Sequence, residues 1–277
     1  VIDLVVPLEI DELHGLAPTG RIIAGGTDLL VQMRGGLSEA RLIDVTNLVD
    51  GPPVVSASNG ALELSALAPL SDVASEVGSR LPAFTAAVSA FGSTQIRNRA
   101  TIGGNLANAS PAADLAVVLV AAGATARVDG VRGRREVPVG ALAAGPGKVE
   151  LERGEWISAV SVPVPTGADG FRKLGGRLAH AIALVNIAWR WDRAPDGTLS
   201  DVRLAFGAVA PTVVRVTSAE AELEGRVPTG EVIERVMEAA AAGVSPIDDI
   251  RASAGYRRAM VAELVREALT SDDPGQE

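Results

Sequence analysis

Apolar positions along the chain alternate between two periods, and each run is bounded by recognisable stop signals. Arg21 to Ala24 reads as a strand, and Gly25-Gly26 then permit a turn with positive φ. A short helical pattern follows, with Thr27 or Asp28 as its cap and Gly35 at its end. "ARLIDVTNL" reads as a further strand bounded by Asn47, and "VVSASNGALELSAL" as a hairpin turning at Asn59-Gly60. Helical patterns cover Ser71 to Val77 and Pro82 to Phe91. "PAADLAVVLVAAG" predicts a buried helix with Ser110 as N-cap, Pro111 at its first position and Gly123 past its end.

"ATARVDGVRGRREVPV" predicts a second hairpin, and Trp156 to Pro165 a strand that closes this part of the chain. "TGADG", Thr166 to Gly170, reads as a linker. Two long β runs joined at Asp196-Gly197 follow, with Phe171 to Leu174 pairing beside them. A helix from Gly230 to Ala242 comes next. The last helix places Tyr256, Met260, Val261, Leu264 and Val265 on one apolar face, and the tail "SDDPGQE" reads as frayed. Strands, hairpins and helices mix without regular βαβ alternation, which indicates α+β rather than a doubly wound sheet.

Composition narrows the chemistry. The chain has 277 residues, enough for one large domain or two modest ones, and an apolar fraction of 47% that is ordinary for a globular protein. Cysteine is absent, so this chain carries no disulfide, iron–sulfur cluster or thiolate zinc site. The two histidines, His14 and His180, lie far apart in sequence and argue against a buried metal site. A net charge of -9 argues against nucleic acid, and the one basic cluster, Val131 to Val137, reads as a solvated hairpin. No apolar run reaches the roughly 18 residues of a membrane span, and no signal-peptide pattern opens the sequence, so a cytoplasmic location is expected.

Two glycine pairs carry the candidate chemistry. "AGGTDLL" and "TIGGNLANASPAADL" each combine Gly-Gly with a segment rich in backbone donors, and missing side chains let main-chain N–H groups approach a phosphate. Two such loops in one domain can clasp a pyrophosphate from two sides. Singly, each reads better as plain turn chemistry than as a phosphate site. Asp28 speaks against a phosphate beside it unless it points away as a helix cap. Asp114 either favours the dipole of its helix or accepts from a ribose or base, and Lys173 either meets a phosphate or faces water. Arg97 and Arg99 can neutralise an anion or pair with nearby acids. Trp156, Trp189 and Trp191 are too scattered to form a stacking platform. G-x-G-x-x-G, G-x-x-x-x-G-K-[ST] and G-x-S-x-G are all missing.

Five blocks occur in order: "AGGTDLL" (Ala24 to Leu30), "QIRNRATIGGNLANASPAADL" (Gln95 to Leu115), "FRKLGGRLAHAIA" (Phe171 to Ala183), "LAFGAVAPTVVR" (Leu204 to Arg215) and "SAGYRRAMVAELV" (Ser253 to Val265). Together they resemble the medium, FAD-binding subunits of molybdenum hydroxylases, the group that includes the carbon monoxide dehydrogenase and xanthine dehydrogenase flavoproteins. The resemblance implies an FAD-binding domain of the vanillyl-alcohol-oxidase type over residues 1–165, in subdomains of about 1–52 and 53–165. It implies a smaller C-terminal domain over 171–277, with a three-stranded antiparallel sheet and helices. FAD would be held through Ile23, Ala24, Gly25, Gly26, Thr27, Asp28 and Leu29, and through Thr101, Ile102, Gly103, Gly104 and Asn105. Asp114 would sit near the adenosine end and Lys173 near the flavin.

Neither His nor Cys occurs in the first loop, so non-covalent FAD is expected. The resemblance further implies an oxidoreductase subunit that passes electrons from iron–sulfur clusters of a small partner subunit, supplied by a molybdopterin large subunit, to a terminal acceptor. No catalytic acid or base is nominated. A stand-alone FAD-dependent oxidase or dehydrogenase is the alternative reading. His180 stands where many relatives carry an acidic or polar residue.

Overall fold

The computed structural model describes residues 2–177 and 181–271, in two compact units. The first comprises Val1–Val77, Gly92–Ala109 and Ala124–Pro163. The second comprises Gly78–Phe91, Ser110–Gly123 and Val164–Glu277.

The first unit begins with a small parallel sheet in the order β1 (Asp3–Val5), β3 (Arg41–Asp44), β2 (Arg21–Ile23). Helices α1 (Ile10–Leu16) and α2 (Leu29–Arg34) lie in its crossovers. A second, antiparallel sheet has five strands: β4 (Val55–Ser58), β5 (Ala61–Ser65), β10 (Trp156–Pro163), β6 (Thr125–Gly130) and β7 (Gly133–Pro138). The predicted hairpin at Asn59-Gly60 forms, with φ of 46° and 78° at the two residues, the doubly positive pattern that suits this dipeptide. Trp156 of β10 packs with Leu13, Ile43 and Val45, so one core joins the two sheets. The His14 and Trp156 rings are 4.9 Å apart, which makes His14 part of that core edge. Helix α3 (Leu70–Val77) and two short helices, α5 (Thr94–Arg97) and α6 (Ile102–Ala107), complete the unit with a small ladder of β8 (Ala143–Gly145) and β9 (Lys148–Val149).

The second unit is built on an antiparallel sheet of β11 (Ala168–Gly175), β12 (Ala183–Arg193), β13 (Leu199–Gly207) and β14 (Val214–Arg215). Odd-numbered Val185, Ile187, Trp189 and Trp191 form one core with residues of α8 (Thr217–Leu223), α9 (Gly230–Ala242) and α10 (Ala254–Ser271). The alternate face of the strands meets α4 (Pro82–Ala90) and α7 (Asp114–Ala121).

Several expectations are corrected. The C-terminal sheet has four strands, not three: β14 pairs Val214 with Phe206 and Arg215 with Ala205, and two residues are too few to show a period. "TGADG" is not a linker beyond Gly167. Ala168, Asp169 and Gly170 pair with Trp191, Arg190 and Trp189, and a Cβ on Gly170 would stand 2.2 Å from the Trp189 ring. The glycine is there for close packing, not flexibility.

Helix α7 starts at Asp114 rather than at Pro111, because the Pro111 carbonyl accepts from the Ala208 N–H at 2.7 Å instead of starting an intrahelical ladder. Ser110 therefore caps no helix; its hydroxyl accepts from the Ala112 N–H. Tyr256 is exposed and leaves the apolar face of α10 to Val261, Leu264 and Val265, with Met260 partly buried against the same core. Neither Thr27 nor Asp28 gives α2 a side-chain cap. The tail from Asp272 onward and His180 lie outside the described residues.

Candidate functional site

The two glycine segments meet in the first unit. A Cβ on Gly25 would stand 1.8 Å from the Arg99 carbonyl oxygen and 2.4 Å from its carbon, so the backbones of the two segments touch there and only hydrogen fits. Gly26 has φ +69°, the left-handed turn that passes the chain from β2 into α2. Among the described residues, no protein group accepts from the backbone N–H groups of Gly25, Gly26, Thr27 and Asp28. These four donors stand at the end of β2, whose last residue Ile23 is buried. Asp28 is exposed, yet the surrounding protein pushes its carboxyl above the usual carboxylate range by desolvation.

The second segment differs from the simple donor loop that its sequence suggests. Ile102–Ala107 is helical, with both glycines inside the helix. Thr101 is its N-cap, and the Thr101 hydroxyl accepts from the Gly104 N–H at 3.0 Å. The Gly103 N–H donates to the Ala66 carbonyl at 2.8 Å, and the Asn105 N–H to the Thr101 carbonyl at 3.0 Å. The amides of Gly103, Gly104 and Asn105 are therefore spent within the protein. What remains for a ligand is a bare surface and one side chain. Gly104 is exposed, and a Cβ there would meet nothing nearer than the Thr101 hydroxyl at 3.1 Å. The Asn105 Oδ1 is buried and has no partner, an orphaned polar atom of the kind that a ligand or water completes. The Gln32 amide of α2 donates to the Asn108 side chain at the end of α6 at 2.8 Å, so the helices that leave the two glycine segments are tied together.

Free donors on one segment, and on the other an unfilled side-chain acceptor that follows a bare glycine, fit an extended phosphorylated cofactor.

The other two predicted residues come together in the second unit. Lys173 of β11 donates to Asp114 Oδ2 at 2.5 Å and to the Ala90 carbonyl at 3.2 Å. Asp114 occupies the first turn of α7 and is buried. Burial pushes the Asp114 carboxyl up, against the pull of the Lys173 ammonium and the Asn186 amide. Asn186 donates to Asp114 Oδ1 at 2.8 Å and was not singled out by the sequence reading. Its signal was present, as the one polar residue in the apolar run Ala183 to Trp189.

Arg99 is exposed, whereas Arg97 and two of the tryptophans are engaged within the protein. Arg97 turns back onto the Thr94 hydroxyl at 3.1 Å. Trp189 and Trp191 stack within the core with centroids 6.1 Å apart, while Trp156 belongs to the other unit. Among the described residues, no group of three or more His, Cys, Asp or Glu is placed to hold a metal, and no helix is long and apolar enough to cross a membrane.

Fold and site define an α+β nucleotide-cofactor protein with two apposed glycine segments. Comparison with known proteins gives the family. Residues 2–165 match the model of the FAD binding domain in molybdopterin dehydrogenase, and residues 171–271 match the CO dehydrogenase flavoprotein C-terminal domain. The nicotine 6-hydroxylase medium subunit of Paenarthrobacter nicotinovorans is 31% identical over 95% of this chain and 94% of its own. The xanthine dehydrogenase FAD-binding subunit of Escherichia coli O157:H7 is 30% identical over 91% of this chain and 88% of its own. Among solved structures, carbon monoxide dehydrogenase from Hydrogenophaga pseudoflava superposes with a TM-score of 0.91 at 29% identity, over 97% of this chain and 96% of that one. The chain belongs to the family of FAD-binding subunits of molybdopterin dehydrogenases, and it is an FAD-binding oxidoreductase subunit of a multi-subunit enzyme.

Proposed function

We propose that this chain is the electron-transferring flavoprotein subunit of a molybdenum hydroxylase. It receives electrons from iron–sulfur clusters of a small partner subunit, supplied in turn by a molybdopterin large subunit, and delivers them to a terminal acceptor. The absence of cysteine fits this division of labour, because the clusters need thiolates that this chain lacks. Bound FAD supplies the redox chemistry, which no side chain of this protein provides.

The chain's own work is to hold and orient the cofactor. The observation that carries the reading is the backbone crossing of Gly25 and Arg99, which brings the two glycine segments together in one unit. The segment from Ile23 and Ala24 to Leu29 binds the pyrophosphate, through the free N–H groups of Gly25, Gly26, Thr27 and Asp28. Thr101, Ile102, Gly103, Gly104 and Asn105 form the facing wall, with the Asn105 amide as the hydrogen-bonding group. Asp114 accepts from the adenosine portion, and Lys173 neutralises Asp114 and lends its remaining donor to the cofactor. Binding is non-covalent, since neither segment offers a His or Cys. Residues 1–165, with subdomains of about 1–52 and 53–165, form the cofactor domain and 171–277 the C-terminal domain. The complex works in the cytoplasm.

The test is titration of the purified chain, stripped of flavin, with FAD. One FAD per chain with a perturbed flavin spectrum is expected. Gly104→Val should fold and lose most of this affinity, because its side chain projects from the exposed surface that faces the cofactor. A chain that binds no flavin, or a Gly104→Val protein that binds as well as the parent, would remove the basis of the reading.

A further inference from the structure

Three residues at one register cross the sheet of the second unit. Lys173 on β11 pairs with Asn186 on β12, and Asn186 pairs with Gly207 on β13. Register partners project to the same face of a sheet. Here that face meets α7, whose first residue is Asp114. Asn186 and Lys173 then take one carboxylate oxygen each: Asn186 Nδ2 lies 2.8 Å from Oδ1, and Lys173 Nζ lies 2.5 Å from Oδ2.

Asn186 is expensive as a packing residue. It is 0% exposed, and its own Oδ1 is buried without a partner. A Cβ on Gly207 would stand 2.2 Å from that oxygen, so the third member of the row is a glycine to make room for the amide. An aliphatic side chain at position 186 would fill the same space without burying an unsatisfied acceptor, as the neighbours Val185 and Ile187 do on the other face. The amide's return lies in Asp114. One charge-assisted bond on each oxygen fixes the carboxylate in a single rotamer and leaves each oxygen one acceptor direction.

We propose that Asn186 is a positioning residue for cofactor binding: it acts through Asp114, orienting the carboxylate that receives the adenosine portion of FAD, and Gly207 is the relief that lets it do so. This rests on the placement of Asp114 at the cofactor proposed above.

A double-mutant cycle on the full chain tests it, with the FAD dissociation constant as readout and the melting temperature of the FAD-free chain measured alongside. Asn186→Ala should weaken FAD binding by about tenfold, the size expected of one lost hydrogen bond to a charged group. In the Asp114→Asn background the same change should alter FAD binding by less than about twofold, because the group it acts through is already changed. A purely structural asparagine would weaken binding equally in both backgrounds, and that additivity would overturn the proposal. So would an unweakened Asn186→Ala protein beside a weakened Asp114→Asn one, which would leave Asp114 at the cofactor. If instead Asp114→Asn binds FAD like the parent, the placement of Asp114 fails and the role of Asn186 fails with it. Asn186→Ser goes through the same cycle, so that a poorly folding alanine variant does not decide the outcome.

Discussion

Gly25→Ala puts a methyl group where a backbone already stands. Its carbon would lie 1.8 Å from the Arg99 carbonyl oxygen and 3.0 Å from the Ala100 nitrogen. Neither neighbour can retreat cheaply. The Arg99 and Ala100 N–H groups both donate to the Ile96 carbonyl, at 3.0 and 2.7 Å, and the Ala100 carbonyl accepts from the Leu70 N–H at 2.8 Å. Overpacking a well-ordered site typically costs about 1–3 kcal/mol, and a clash with pinned backbone belongs at the upper end. At about 2–4 °C per kcal/mol for a chain segment of this size, the FAD-free protein should melt roughly 6–12 °C lower.

Gly104→Ala is the matched control. It sits in α6 with ordinary helical backbone, faces solvent, and meets only the Thr101 hydroxyl at 3.1 Å. Alanine gains about 0.5–1 kcal/mol over glycine inside a helix, which offsets the tight contact and should leave the melting temperature within a few degrees of the parent. Differential scanning calorimetry of the two apo variants separates the cases. If Gly25→Ala melts with the parent, the two glycine segments do not cross as described, and the argument for a shared cofactor site loses its foundation.

Three further outcomes follow from particular contacts. Lys173→Met strands a buried carboxylate, Asp114 being only 6% exposed at its side chain, and should destabilise the chain by about 3–5 kcal/mol in chemical unfolding, whereas Lys173→Met with Asp114→Leu should recover much of the loss; equal losses in the single and double variants would contradict a buried ion pair. Asp249 accepts from the Arg251 and Ala252 N–H groups and from Arg257, which lowers its pKa to about 2. A folded pKa below the unfolded value of about 3.9 means that its contribution is present above about pH 4 and is lost as the pH falls toward about 2, so Asp249→Asn should flatten that part of the acid-unfolding curve. Gly170→Ala would drive a methyl group to 2.2 Å from the Trp189 ring and should lower stability by about 1–3 kcal/mol with a changed tryptophan fluorescence; an unaffected variant would show that the β11–β12 register differs.

How far the sequence could be read depended on whether the deciding partner was near or far along the chain. The Asn59-Gly60 hairpin was legible because its requirement, positive φ at two adjacent residues, is local. The span Gly230 to Ala242 was legible for the same reason, with Thr229 capping its first turn and Gly243 ending it. The second glycine segment was not legible as a helix. Two glycines oppose a helix by propensity, and it forms because Thr101 caps it and Ala66, more than thirty positions away, accepts from Gly103. The start of α7 moved because Ala208 captured the Pro111 carbonyl, and the last three residues of "TGADG" joined β11, where Gly170 leaves room for the Trp189 ring.

Glycine itself carries the general point. Gly25 admits a backbone, Gly103 clears the Ala66 carbonyl, Gly170 admits an indole, Gly207 admits an amide, and only Gly104 leaves its side open to solvent. The sequence marked the first, second and last of these as one kind of residue, a phosphate-loop glycine. The distances divide them: Gly25 and Gly103, close to the proposed chemistry by motif, are committed to the fold, while Gly104 lies open to solvent and the buried oxygen of its neighbour Asn105 is left without a partner. A loss of binding after substitution therefore counts as evidence about the cofactor at Gly104, and as evidence about folding at Gly25 and Gly103.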